Sequence, residues 1–568
     1  MRSATSVMLQ VVCIAVLCLW AIAPSCLGQQ PAAAGGEANS TMKDRWFFAF
    51  GFDRTRADTD KIKALIDTAA AHGLNGMVLS SFGLDSITSW DEQGVALLKE
   101  VAAHCQEKGI ELIPTGFSAG YGGGALGYNL SFADALPTRV LLKAQGGKIA
   151  PAPMKNLLVN GDLEEQTNNQ FKGFDFNEQP GVISFADQTA ASGKTSIRFE
   201  NFTANQYGHG RIMQTVKVEP GRTYRFSCRF KTQDLNPVSG LTVMMLSGGK
   251  DVTSVKPTLK PTQDWTEVTL ELTNSNKKDL SIYAGIWGGK SGKFWIDDMK
   301  FGEAGDLSYI PRRDGTPLQL KSADGGKSYV EGKDYEAVRC VPSLESVKVL
   351  PGSAIRDGED LVLDCYKIPY VAHSWGRQIS LCMSNPALYD FWKAQAVRLH
   401  EVIPYKKFLL AMDEIRNGGG CQLCQKSGKS MAQILGDCVT KQDAIFKQID
   451  PNIEVMIWSD MFDPAHNAHN NYYGVVGDYT GSWKYVPKDV TMACWYYEIR
   501  DKSLKFFSEQ GFKTFGAAYY DADDLTNPKD WLKSLKATPN AEGIMYTTWE
   551  KKYGLLAGFG DLVSAGAK

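Results

Sequence analysis

Net charge is almost absent from this chain: 61 lysines and arginines stand against 63 aspartates and glutamates, leaving −2 over 568 residues. Without a basic excess there is no general pull toward nucleic acid or an anionic membrane surface, and neither is expected as a partner. Long apolar runs are missing too. Beyond the N-terminal segment nothing reaches the ~18 uninterrupted apolar residues of a membrane span, so no stable membrane insertion is expected. Cysteine is sparse, twelve in all, three of them within the N-terminal segment. The nine that remain are an odd number, which excludes complete internal pairing. The chain is no disulfide scaffold, and its domains must hold together by burial.

What is present begins with Arg2 and an apolar run from Val7 to Ala23, followed by small and polar residues through Gln29. This reads as a secretory signal over 1–28, cleaved near Gly28, with a secreted or periplasmic destination. A Pro/Ala/Gly-rich linker follows over 29–42. At this length more than one domain is expected.

From Trp46 a strand–helix alternation sets in. Trp46–Phe52 is a continuous apolar run, as buried parallel strands are. Asp58–His72 carries a helical stripe that stops at Gly73. Gly76–Ser80, a helix over 91–108 and Ile110–Pro114 complete the first part, assigned to residues 43–150. The period then changes: over 155–303 there are alternating runs such as Arg211–Val218 and Thr223–Phe230, separated by turns, which is the pattern of a β-sandwich. A β-rich connecting segment is assigned to 304–380. The alternation resumes over 381–568 with strands beginning at Lys407, Ile453, Val490, Lys513 and Gly543. Three strands before the interruption and five after it make eight. The expected fold is α/β: a (β/α)8 TIM barrel interrupted after strand three by a jelly-roll sandwich.

Barrel chemistry sits at the C-terminal ends of the strands. Those ends here include Asp53 and Arg54, Asp413-Glu414, Trp458 and Asp460, Trp495, Tyr519-Tyr520-Asp521, and Trp549-Glu550. Aromatic faces beside carboxylates suit a sugar, whose ring has an apolar face and whose hydroxyls need polar partners. Adjacent acids ending an apolar strand repel one another, so one of them can hold a raised pKa and serve as a general acid.

The segment from Asp53 to Pro114, with Asp53-Arg54-Thr55-Arg56 and Gly73-Leu-Asn-Gly-Met-Val78, resembles the opening of the catalytic barrel of glycoside hydrolase family 20, the exo-acting β-N-acetylhexosaminidases. Asp413-Glu414 resembles that family's strand-four acid pair. The resemblance implies that Glu414 protonates the glycosidic oxygen while Asp413 orients the substrate's 2-acetamido group, whose oxygen attacks the anomeric carbon with net retention. It further implies that Tyr519 or Tyr520 hydrogen-bonds the acetamide, and that Trp458, Trp495 and Trp549 wall the pocket with Asp53, Arg54, Asp460, Asp521 and Glu550 as further contacts. No catalytic cofactor is implied. Where the family carries His-x-Gly-Gly before its acid pair, this chain has Leu409, Leu410, Ala411 and Met412. Arg45, Arg54 and Arg56 are the candidates for the arginine that grips the terminal sugar.

The inserted domain opens Asn156–Glu164 and closes Phe294–Asp298, resembling carbohydrate-binding modules of families 4 and 9. That resemblance implies a structural calcium held by Glu164 and Asp298, with Trp265 and Trp287 free to stack on sugar. The expected partner is therefore an oligo- or polysaccharide carrying 2-acetamido sugars. Two rival readings remain: a glycosidase with two carboxylates, Glu414 and one of Asp460, Glu498 or Glu550, or a silent polysaccharide-binding protein. Cys421-Gln-Leu-Cys424 reads either as a local disulfide or as a metal clip short of two ligands, with Cys438 one candidate.

Overall fold

The computed structural model describes residues 42–81, 83–373 and 376–565. The expected signal segment and nearly all of the linker lie outside these residues, as does Phe82. Eight parallel strands close into a barrel: β1 Asp44–Phe50, β2 Gly76–Ser80, β3 Glu111–Gly116, β4 Lys407–Leu410, β5 Glu454–Trp458, β6 Thr491–Cys494, β7 Thr514–Tyr519 and β8 Ala541–Thr547. The last strand pairs in parallel with the first. The (β/α)8 expectation therefore holds.

Alternation along β1 shows why such apolar strands are needed. Trp46 and Phe48 point into the barrel, where they meet Val78, Ile113, Leu409, Met456, Phe515 and Met545. Phe47 and Ala49 point outward, under the helices. Both faces are dry from Trp46 onward, so every position from Trp46 to Phe50 is apolar. Among the described residues seven longer helices cover the outside: α1 Arg56–Ala71, α2 Glu92–Glu107, α3 Pro386–Val402, α4 Met431–Ile449, α5 Arg500–Glu509, α6 Thr526–Lys536 and α7 Leu556–Ser564. Their starts follow from capping chemistry. The Thr55 side chain accepts the Asp58 amide, Asp91 accepts that of Gly94, and Ser430 with Gln433 forms a reciprocal capping box. Between β5 and β6 the chain runs instead through 3₁₀ turns at Asp460–Phe462 and Ser482–Tyr485.

The insertion leaves the barrel after β3 and returns at α3. Its sandwich packs a five-stranded sheet, ordered Lys250–Val255, Leu241–Ser247, Asp279–Ile286, Gly210–Lys217 and Phe176–Asn177, against one built on Arg222–Asn236 and Ser291–Glu303. Ile197, Phe199, Phe226, Phe230, Val243, Ile282 and Phe294 fill the space between them.

One expected boundary moves. The first barrel part does not run to 150, because Leu136–Gln145 pairs antiparallel with Asp360–Lys367, and Lys148–Pro151 turns back on it to meet Val347–Lys348. Every second residue of Leu136–Gln145 is buried, the mark of a strand with one wet face rather than a barrel strand. These strands and Gln319–Ser322 enclose a small core of Val140, Leu142, Leu320, Leu361 and Leu363. Where the chain leaves and rejoins the barrel the two legs are zipped together. Ala133 bridges Leu381, the Asp134 amide donates to the Ser380 carbonyl at 2.8 Å, and that of Cys382 donates to Phe132 at 2.9 Å. Among the described residues no helix is long and apolar enough to cross a membrane.

Candidate active site

At the C-terminal mouth of the barrel a layer of rings caps the interior. Trp458 is fully buried and forms its floor. Phe50, Trp495, Tyr520 and Trp549 lie above it, half-buried. The rings make a continuous wall: Phe50 to Trp549 at 5.2 Å between centroids, Trp549 to Tyr520 at 6.5 Å, and Tyr520 stacked on Trp495 at 5.6 Å and 10°. His466 continues it, edge-on to Trp495 at 4.6 Å. Burial lowers the affinity of His466 for protons, so its imidazole is neutral at neutral pH.

Against this wall stands the acid pair. β4 ends at Leu410, and the backbone turns into the left-handed region at Glu414 (φ 49°). An L-residue resists that conformation, at a cost on the order of 1–3 kcal/mol, so surrounding contacts must hold it. They do. The Glu414 amide donates to Asp460 Oδ2 at 2.9 Å, and Gln378 Nε2 donates to the Glu414 carbonyl at 2.9 Å and to the Gly120 carbonyl at 3.2 Å. Gly120 has no room for a side chain; a Cβ there would stand 2.1 Å from the Asp413 carbonyl oxygen. The Glu414 carboxylate is gripped on both oxygens: Arg416 Nη2 lies 2.8 Å from Oε1, and the Tyr121 hydroxyl donates to Oε2. Arg416 also bonds Gln378 and lies 5.0 Å over the Tyr473 ring. Burial, then the charges of Asp413 and Glu414, push the Tyr121 phenol up, so it stays a donor.

Asp413 keeps a little exposure, yet its carboxyl is pushed well above the usual range. Burial is the main cause, followed by Asp460 and Glu414, whose negative charges oppose a third. Asp460 is wholly buried and pushed up to about 6, mainly by burial. Its oxygens are already engaged: Trp495 Nε1 donates to Oδ1 at 3.3 Å, and Asn467 Nδ2 shares Oδ2 with the Glu414 amide at 2.8 Å. Asp460 is a brace behind the pair.

Not every strand-end residue named from sequence faces this mouth. Tyr519 points into the helix layer and stacks on Tyr546 at 4.0 Å, because left-handed backbone at Tyr519, Tyr520 and Asp521 breaks the strand's alternation and turns Tyr520 inward in its place. Asp521 braces the neighbouring turn: it accepts the Thr548 hydroxyl and the Trp549 amide at 2.9 Å, fixing the Trp549 ring. Glu550 is exposed and pairs with Lys552 at 2.7 Å. Asp53 is exposed on the rim, and Arg54, also exposed, lies 4.8 Å over the Trp90 ring. Arg45 donates to the Gly73 carbonyl at 2.9 Å, near the N-terminal end of β1, while Arg56 pairs with Glu100 on the helix surface. The arginine at the mouth is Arg416. Sequence reasoning gave it no role, although it stands two residues past Glu414. Tyr121 and Gln378 carried no signal, since only the fold brings them to Glu414.

In the sandwich, Glu164 and Asp298 both have protein partners. Asp298 pairs with Lys300 at 2.8 Å and lies 3.7 Å from Arg229, cations that compete for the same oxygens. Glu164 Oε1 accepts the amides of Lys194 and Thr195 at 2.6 and 3.0 Å. The outer face of the five-stranded sheet carries Tyr283 and Trp287, 6.3 Å apart, with Arg211 5.6 Å over Trp287 and His209 alongside.

No curated protein matches the sequence. Among solved structures, a chitobiase from Flavobacterium johnsoniae aligns over 92% of this chain and 48% of its own, at 9% identity and TM-score 0.37. A β-N-acetylhexosaminidase aligns over 92% and 71%, at 9% identity and TM-score 0.36. A family 61 carbohydrate-binding module in complex with β-1,4-galactotriose aligns over 26% of this chain and 99% of its own, at 15% identity and TM-score 0.21. The sandwich has a sequence-level match of its own: residues 155–290 fit the family model described as a carbohydrate binding domain.

Proposed function

We propose that this protein is an exported glycoside hydrolase that removes terminal 2-acetamido sugars by a substrate-assisted, retaining mechanism. The observation that carries the reading is the Asp413–Glu414 pair, held in a left-handed turn at the end of β4 against a wall of aromatic rings. A sugar ring stacked on Trp495 or Trp549 meets both carboxyls from one side. Glu414 acts in its protonated form, Oε1 facing Arg416 and the proton on Oε2, and passes that proton to the glycosidic oxygen as the acetamide oxygen attacks the anomeric carbon. Asp413 accepts the acetamide N–H, and the Tyr520 hydroxyl donates to the acetamide oxygen. Water then opens the oxazolinium with Glu414 as base, returning the proton and retaining configuration.

A substrate-borne nucleophile is supported by what the other acids are doing. Asp460 is wholly buried behind the pair, whereas Glu414 keeps exposure at the mouth, and Glu498 and Glu550 are exposed. None of the three is presented as a protein nucleophile. The sandwich is assigned to hold the polymer through the Tyr283–Trp287 face, consistent with the family match over 155–290.

The test is a panel of aryl glycosides with and without a 2-acetamido group. Cleavage of the acetamido set with retention, blocked by a thiazoline analogue of the oxazoline, is the expected result. Cleavage confined to the non-acetamido set, or no cleavage of any member, overturns the proposal.

A further inference from the structure

Some distance from the acid pair, four side chains converge with no chemistry yet assigned to them. Asp134, Cys382, Cys421 and Cys424 are all buried, and their ligand atoms lie within 4.8 Å of one another, the one such group of three or more among the described residues. The three sulfurs form a nearly regular triangle: Cys382 to Cys421 3.5 Å, Cys382 to Cys424 3.8 Å, and Cys421 to Cys424 3.8 Å. Tetrahedral zinc with Zn–S bonds of about 2.3 Å sets its sulfurs about 3.8 Å apart, whereas a disulfide would draw two of them to about 2.05 Å. Edges of this length suit one ion rather than a cluster.

The fourth corner makes the stronger case. Asp134 is 0% exposed and no side chain donates to either carboxylate oxygen; the backbone amides of Ala135 and Gly420 lie near it but outside hydrogen-bond geometry. A buried carboxylate in that condition must either take up a proton, the direction in which burial pushes Asp134, or meet a cation, and the three sulfurs beside it supply the rest of a cation's shell. Arg313 comes near, but its guanidinium is spent on the carbonyls of Ser131 at 2.8 Å and Ala133 at 3.0 Å, with Nη1 3.7 Å from Cys421 Sγ. That places it as an outer partner to a thiolate, as Ser384 is to Cys424 at 3.2 Å. Cys421 also caps the short helix Gln422–Lys426, so that the two cysteines of the motif flank one turn.

We propose that Asp134, Cys382, Cys421 and Cys424 bind a single structural zinc ion. Four protein ligands close the tetrahedron and leave no open position, so the ion holds structure and does not act on substrate. It ties together three stretches of chain: the leg leaving the barrel, the leg returning to it, and the loop that follows Glu414 and Arg416. Cys438, the ligand suggested by sequence, is buried in α4 and is not a member of the group.

The experiment uses the full chain, purified without chelator and analysed for metals by mass spectrometry, with peptide mapping of the cysteines. One zinc per chain is expected, retained through gel filtration, falling at least tenfold in Cys421→Ser and Asp134→Asn and unchanged in Cys438→Ser. Cobalt(II) exchanged into the protein should show thiolate-to-cobalt charge transfer in the near ultraviolet. Should the cysteine variants not fold, a dipicolinate titration of the wild type supplies the same answer, lowering its Tm as zinc leaves. A chain without zinc, a different metal, a Cys382–Cys421 or Cys421–Cys424 disulfide, or a Tm indifferent to dipicolinate overturns the proposal. None of these outcomes bears on the aryl-glycoside test.

Discussion

Asp460→Asn separates the cost of a buried charge from the value of its hydrogen bonds. Asp460 titrates near 6 in the folded protein instead of its ordinary 3.8, chiefly through burial. At about 1.4 kcal/mol for each tenfold change in proton affinity, this is worth about 3 kcal/mol. The sign follows from where the proton sits. Between pH 3.8 and 6 the unfolded chain releases it while the folded chain keeps it, so stability is full below 3.8 and falls as pH rises to about 6, then levels. Asparagine cannot titrate, so it escapes this loss. It brings a fixed loss of its own, because one amide oxygen must face three donors, from Trp495, Glu414 and Asn467, at roughly 1–3 kcal/mol. Urea unfolding from pH 4 to 7.5, fitted for the barrel transition apart from the sandwich, should find the variant less stable at pH 4. The gap should then close or reverse by about 3 kcal/mol by pH 7.5. Relief of the neighbouring Asp413 acts in the same direction. A difference that is flat with pH, or that grows in favour of the wild type as pH rises, would refute the electrostatic account.

Three further outcomes are expected. Tyr520→Phe should lower kcat on a 2-acetamido aryl glycoside about 10²-fold, as loss of one oriented donor does, while Tyr519→Phe, buried against Tyr546, leaves kcat within about twofold; equal losses from both would refute the inward assignment of Tyr520. Gly120→Ala should destabilise the barrel by about 1–3 kcal/mol, because its Cβ collides with the Asp413 carbonyl, and a stable variant with unchanged unfolding would contradict the packing there. Trp287→Ala should weaken retention on an insoluble polysaccharide at least tenfold without changing hydrolysis of small aryl substrates, as affinity electrophoresis and rate assays would register.

The barrel was legible in the sequence because its strands are dry on both faces and its helices carry capping signals; β1 and α1 are readable from Trp46 to His72 alone. The sandwich announced itself through a change of hydrophobic period. The acid pair was legible because Asp413 and Glu414 end an apolar run. Four things were not. Tyr519 belongs to the inward row by strict alternation with Phe515 and Ala517, and only three successive left-handed residues exchange it for Tyr520. Tyr121 and Gln378 reach Glu414 from 293 and 36 residues away, so no local pattern carries them. The strand at 136–145 has its partner at 360–367, beyond the whole sandwich, so its separation from the barrel appears only on folding. The motif at Cys421 suffered likewise, since its companions Cys382 and Asp134 are neighbours in space alone.

The insertion point also governs the order in which the molecule can be built during synthesis. Strands β1 to β3 emerge first and must wait with both edges unpaired, the β3 edge until residues 117–406 have been made and β4 arrives to cover it, the β1 edge until β8 does. A flexible tether of that length would make the joining slow, since closing entropy grows with the number of residues between the ends. The sandwich, with a core of its own, can collapse in the interval, and the bridge between Ala133 and Leu381 then brings the two ends of the tether together. What looks like an interruption becomes a rigid clasp that delivers the second half of the chain to the first.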